Sequence, residues 1–257
     1  MPRFLRLLAA WGGIIAVTAL AMPESGLAQG GPPLVTDDPE TPEDGHWEIN
    51  IAVVGSRTSQ RKEISAPDVD INYGWGEHVQ LKLDIPWVYA RDSGQPWKSG
   101  LGAPVVGVKW RFVDVADAGF SMSTYPQLTR NWLSSSARRG ITEAGQEFFL
   151  PVEAATAVGK FKLVAEVGRN FVQNGESEWV TGVLAAHACG KDLECMGEVH
   201  VTSAPQTTQT LVNFGLRWKL SESLILLTAA GRDFGPRNYD HDDHRSLLYY
   251  FGFQLLR

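Results

Sequence analysis

Ser246-Leu-Leu-Tyr-Tyr-Phe-Gly-Phe-Gln-Leu-Leu-Arg257 decides the fold. Every second residue, Leu247, Tyr249, Phe251, Phe253 and Leu255, is apolar or aromatic, while Gly252 and Gln254 fall on the other side. A period of two is that of a strand, not a helix. In a soluble protein so aromatic a face needs a further layer to cover it, whereas a strand facing lipid needs none. The stretch therefore reads as the closing strand of a membrane barrel. A core strand of a soluble sandwich is the alternative.

At the other end, Arg3 and Arg6 precede an apolar stretch from Leu7 to Met22, and Gly26-Leu27-Ala28 supplies the small residues of a cleavage site. That is the pattern of a secretory signal peptide over residues 1–28. The stretch is short and broken by Gly12 and Gly13, and no Cys follows it to take a lipid. Removing it moves the formal net charge from −6 to −7, since two arginines and one glutamate leave. Nothing basic then recommends a nucleic-acid partner. No later run of about 20 apolar residues occurs, so a membrane-spanning mature chain must be a closed barrel, the one strand structure that satisfies every backbone group in lipid. With 26 Gly, 9 Trp and 11 Phe and no low-complexity linker, a single all-β domain is expected.

Residues 29–45, rich in Pro and acid and without periodicity, read as an extended periplasmic tail ahead of a barrel over 46–257. Strand patterns begin at Trp47-Glu-Ile-Asn-Ile-Ala-Val53 and continue through Val69 to Trp75, a tight turn at Gly76-Glu77, and Val79 to Trp87. Twelve such segments can be counted to Arg257. The turns near 75, 116, 160, 192 and 221 are short, and the connections near 95, 138, 173, 206 and 239 are mostly longer and more polar. Short turns on one rim and long loops on the other are the asymmetry of outer-membrane barrels, with the short rim periplasmic. Trp47, Trp75, Trp87, Trp110, Trp179 and Trp218 stand at strand ends, where interfacial girdles belong.

Pro32-Pro33-Leu34-Val35-Thr36-Asp37-Asp38-Pro39-Glu40-Thr41-Pro42, followed by Gly45-His46-Trp47-Glu48-Ile49-Asn50, resembles the opening signature of a bacterial family named for the MetA pathway of phenol degradation. Thr36, Asp37, Asp38 and Trp47 carry the motif. Asp70-Ile71-Asn72-Tyr73-Gly74, Leu81 to Pro86, Val108 to Phe112 and Asn213 to Trp218 are similar to later strands of that family. The resemblance implies an outer-membrane barrel acting as a transporter; the pathway label says little about substrate.

On the expected lumen face, Lys82, Lys109, Arg111, Lys162, Arg217 and Lys219 stand against Asp68, Asp70, Asp84, Glu153, Glu166 and Glu198. Charges so balanced in a narrow interior pair with one another, because a desolvated lone charge costs several kcal/mol. Two readings follow: ion pairs that brace the wall, or a constriction that sets selectivity where Lys109 and Arg111 face Glu198 and Glu166. Thr36-Asp37-Asp38 suits either a cation or a tail docked on the barrel. Cys189 and Cys195 flank a five-residue stretch and are expected to pair in an oxidising compartment. Asp240-His241-Asp242-Asp243-His244 reads as a solvated loop or a weak cation site, and no metal or other cofactor is expected. Arg130, Arg138 and Arg139 form a basic loop that either approaches lipopolysaccharide phosphates or is simply solvated. The expected partners are outer-membrane lipid and lipopolysaccharide, the barrel assembly machinery and a small-molecule solute. The ending Leu255-Leu256-Arg257 lacks the usual aromatic last residue and bears on assembly efficiency.

The functional expectation is a passive outer-membrane channel for small molecules, hydrophobic or aromatic ones included. A structural or adhesive barrel with an occluded lumen is the alternative. A lipid hydrolase is a weaker one, since no His stands with a Ser at two-residue spacing on an outward face and Gly-x-Ser-x-Gly is absent.

Overall fold

The computed structural model describes residues 31–115, 119–173, 175–235 and 246–257. The expected signal peptide and the Asp240–His244 cluster lie outside the described residues. Strands run β1 Trp47–Arg57, β2 Arg61–Trp75, β3 Val79–Asp92, β4 Lys98–Leu101, β5 Val105–Val115, β6 Phe120–Thr124, β7 Gln127–Arg130, β8 Gln146–Val158, β9 Phe161–Val172, β10 Glu178–Ala188, β11 Leu193–Ser203, β12 Thr208–Ser221, β13 Leu224–Asp233 and β14 Leu247–Leu256. Among the described residues a single short helix, α1, covers Ser134–Arg138.

Fourteen segments make twelve staves. β4 and β5 both pair with β3, and β6 and β7 both pair with β5 and β8, so each couple is one stave with a break in it. The first break holds Gly102, where a Cβ would lie 2.8 Å from Val88 and 2.9 Å from Pro86. The second holds Pro126, which has no N–H for the ladder, although its carbonyl still accepts from the Val108 amide at 3.1 Å. β1 pairs with β14 in register from Glu48↔Leu256 to Arg57↔Leu247, and the barrel is closed with every ladder antiparallel. Twelve staves were legible in the sequence; β4, α1 and the extension of β2 back to Arg61 were not.

The alternation expected of β14 is present. Leu247, Tyr249, Phe251, Phe253 and Leu255 are exposed on the outside, while Gly252 and Gln254 are buried inside. The same outward apolar face recurs on the other strands, with Ile51, Trp87, Val108, Phe148, Val167, Val183, Phe214 and Trp218 all exposed. Among the described residues no second layer covers this belt, and the closed ladder rules out the sandwich alternative. All six tryptophans predicted for girdles point outward. One rim has tight turns, two of them made at Gly76 (φ 66°) and Gly159 (φ 61°), where the left-handed backbone suits glycine. The opposite rim carries most of the longer connections, with the three residues 58–60 and the four residues 204–207 as exceptions.

The N-terminal segment departs from expectation. Residues 31–45 do not trail away as a tail but run into the barrel from the short-turn rim and cross its interior. The Gly45 amide donates to the Gly74 carbonyl at 3.0 Å at the entrance. Further in, Leu34, Thr36 and Asp38 are buried, and Leu34 joins an apolar cluster with Ala155, Val164, Leu184, Ala186, Met196 and Ala229. Closely approached glycines make room. A Cβ on Gly74 would collide with the Pro42 and Glu43 backbone, one on Gly182 with the Thr36 side chain, and one on Gly215 would lie 2.9 Å from Leu34.

Candidate functional site

The lumen is built from inward positions of the staves, and the wall charges are organised around the segment that fills it. Lys109, on β5 and 2% exposed, donates from Nζ to Asp37 Oδ1 at 2.9 Å and to the Glu40 carbonyl at 3.3 Å, and lies 4.6 Å from the centre of the Tyr125 ring. Lys162 on β9 reaches Asp38 Oδ2 at 2.7 Å and Glu40 Oε1 at 3.7 Å. Arg111 holds Glu40 Oε2 at 3.0 Å. Three wall cations therefore meet three segment acids.

The opposite wall holds the segment by its backbone. Glu198 on β11 accepts from the Val35 amide at 2.9 Å, from the Thr36 amide at 2.7 Å and from Asn213 Nδ2 at 3.0 Å. Arg217 on β12 donates to the Pro32 carbonyl at 2.7 Å. Charge-assisted bonds of this kind are about twice as strong as neutral ones. The segment is thus tied on both sides, by its acids and the Asp38 and Glu40 carbonyls to β5 and β9, and by its backbone to β11 and β12.

The remaining lumen residues brace the wall. Lys82 pairs with Asp70 at 3.2 Å, and Asp70 also accepts from Asn50 at 3.2 Å and Asn72 at 3.1 Å. Gln80 donates to Asn72 at 2.7 Å and to the Tyr125 hydroxyl at 3.0 Å. Glu153 is fully buried, accepts from Ser123 Oγ and lies 4.0 Å from Lys109 Nζ. Glu166 stands 3.9 Å from His200 Nε2. Asp84 lies beside Asp68 on the adjacent strand.

Two corrections follow. Lys109 and Arg111 do not face Glu198 and Glu166 across an open constriction, because the segment lies between them and takes up the cations. Lys219 keeps the inward parity of Arg217, opposite the buried Ile225, but it sits at the short-turn rim, where its ammonium pairs with Glu222 at 2.8 Å and not with a lumen acid. The charge count on the wall missed the partners that mattered, Asp37, Asp38 and Glu40, since they were assigned outside the barrel. Their interleaving of acids with prolines, directly ahead of the first strand, was the available signal.

At the other mouth, residues 131–145 fold inward. Ile141 is buried with Val88 and Ala90, and the Gly140 carbonyl accepts from Arg61 at 3.1 Å. A Cβ on Gly100 would stand 3.6 Å from the Arg139 guanidinium, so this member of the basic loop lies against the inner face of β4. Arg138 instead donates to Ser134 Oγ at 2.9 Å. Cys189 and Cys195 form a disulfide across a short turn, with Cα atoms 5.9 Å apart. Among the described residues no group of three metal-ligating side chains occurs.

No family model and no curated protein matches the chain. Solved structures do. The chain is similar to the COG4313 outer membrane channel from Pseudomonas putida F1 at a TM-score of 0.66 and 12% identity, over 86% of this chain and 100% of that one. It is similar to the NanC porin at 0.58 and 9% identity, and to the KdgM porin in complex with disordered oligogalacturonate at 0.56 and 10% identity, covering 80% of this chain and 98% of the other in each case. At such identities the likeness is one of fold: a closed, twelve-stranded antiparallel barrel.

Proposed function

We propose that this chain is an outer-membrane channel for passive passage of small molecules, hydrophobic or aromatic ones included, with residues 31–45 as a stopper that must shift before solute crosses. The observation that carries the reading is the seating of the segment. It closes a lumen whose wall is polar and charged, while the outside is apolar around the whole barrel. A barrel made only to be solid would fill its interior from its own wall. Here the filling is a separate piece of chain, entering from the short-turn rim and held largely through hydrogen bonds and ion pairs, which water can replace. The sequence resemblance to a transporter-like barrel family and the likeness in fold to channels support the same reading. On this reading the short-turn rim is periplasmic, the chain is exported to the outer membrane, and no chemical step occurs.

Planar-bilayer recording tests it. The full chain should be closed or flicker briefly, and a variant lacking residues 31–45 should conduct steadily. In that open form Lys109→Glu should shift the reversal potential towards cations; an unchanged potential would remove Lys109 from the conduction path. A deletion variant that folds but never conducts would favour the second reading, an occluded structural barrel, for which the filled lumen also speaks.

A further inference from the structure

The inner face of the barrel balances its charges, but one stretch of the outer face does not. At the long-loop rim, β-ladder register sets Arg91 on β3 opposite Lys62 on β2, Lys62 opposite Arg57 on β1, Arg57 opposite Leu247 on β14, and Leu247 opposite Arg232 on β13. These positions share the outward parity of Leu247, Tyr249 and Phe251. Four cations thus stand in one row across five adjacent strands, three of them as directly opposed cross-strand pairs. Like charges so placed destabilise a sheet unless an anion lies among them.

None of the four makes an ion pair with a carboxylate among the described residues. Arg91 lies 5.2 Å from the centre of the Trp97 ring and Arg232 5.6 Å from that of Phe234. The carboxylates nearest in register point the other way: Asp92 is held inside by Arg61 at 3.0 Å and Lys98 at 2.8 Å, and Glu63 by Arg61 at 2.9 Å. Arg57, Lys62, Arg91 and Arg232, together with Leu247, line a groove of about 610 Å³ that opens at this rim and that Arg61 and its partner Asp92 also border, five cations against one carboxylate.

The height of the row is as telling as its charge. β1 spans 11 residues from Trp47 at one rim to Arg57 at the other. At roughly 3.3 Å per residue and a tilt of about 40°, that corresponds to a rise of about 25 Å, the height of the apolar band of an outer-membrane barrel. The row below the cations, Tyr249, Gly55, Ile64 and Tyr89, is still apolar and aromatic. The cations therefore begin where hydrocarbon ends and headgroups start.

We infer that the outer wall of β13, β14, β1, β2 and β3 is a docking surface for a phosphate-bearing glycolipid headgroup of the surrounding leaflet, held by Arg232, Arg57, Lys62 and Arg91. Arginine and lysine along a strand row can share one phosphate between neighbours, and the apolar row beneath receives acyl chains. This surface is distinct from the 131–145 loop, whose Arg139 turns inward. The inference rests on the reading of the chain as an outer-membrane barrel with its long-loop rim outward.

Native mass spectrometry of the detergent-folded full chain, titrated with diphosphorylated lipid A, tests it. Lipid A should bind the wild type, and lipid A stripped of phosphate should bind at least tenfold more weakly, three or four exposed contacts each contributing a fraction of a kcal/mol. The triple variant R57Q/K62Q/R91Q should lose the same factor, and Lys160→Gln, at the short-turn rim, should lose nothing. Should the triple variant not fold, the single Lys62→Gln and the dephosphorylated lipid on wild type carry the same comparison. Binding that ignores both phosphate and the three cations would overturn the inference, as would full displacement of lipid A by millimolar inorganic phosphate, which would make the row a site for free anion. Gel mobility that does not change on boiling would instead overturn the barrel reading itself.

Discussion

Among the described residues two pieces of chain enter this barrel, one from each end, and they are held in opposite ways. The segment 31–45 is tied by ion pairs and charge-assisted hydrogen bonds at groups almost without solvent: Lys109 is 2% exposed, Asp38 1% and Glu198 3%. The loop 131–145 rests on the buried aliphatic side chain of Ile141 and on a bond to the Gly140 carbonyl from Arg61, which is itself held by an Asp92 that is 41% exposed. Removing one partner of a buried pair strands the other and costs about 3–5 kcal/mol, whereas an exposed pair contributes about 0–1 kcal/mol. The inner stopper should therefore move as a unit and be sensitive to single charge changes. The outer loop should give way gradually and depend mainly on apolar contact.

The largest effect expected of this difference is at Lys109. Lys109→Met leaves Asp37 and Glu153 without their shared cation and should loosen the segment by about 3–5 kcal/mol. Proteolysis of the folded barrel would then cut within 31–45, and conductance would rise. A variant whose segment stays protected would place the anchor on the Glu198 side instead. Smaller, at about 2 kcal/mol, is Ile141→Ala, the low end for a buried aliphatic because the site is shallow and can collapse. It should speed hydrogen exchange in 131–145 and leave 31–45 unchanged; exchange rising in both would mean that the two stoppers are coupled. Smallest is Arg61→Gln, expected below about 1 kcal/mol and fading as salt is raised. A larger, salt-independent loss would show that the outer loop is also held by buried charge.

Much of the fold was legible because its signals are local. Alternation in residues 246–257 states which side of β14 is apolar without reference to any other strand, and Gly76 and Gly159 mark turns by themselves. The six tryptophans and the cysteine pair were read in the same way. What misled was also local: a proline-rich acidic stretch looks like a tail when its partners are out of sight. Val35 and Glu198 are 163 residues apart, and Asp37 and Lys109 are 72 apart. No spacing rule connects them.

The sequence by itself determined that this chain is a barrel of alternating strands with an apolar outside, short turns at one rim and balanced charge within, since period-two patterning and turn chemistry act over a few residues. Only the tertiary structure decided what the lumen holds and how cations group on the outer wall. Closure brings β5, β9 and β11 around one segment, and ladder register, shifted by irregularities at Ala52/Val54 and Ser65/Asp68, sets which side Lys62 takes and which residues stand beside it. A single displaced residue in that ladder would turn the row inward, because side chains in a strand change face at every step.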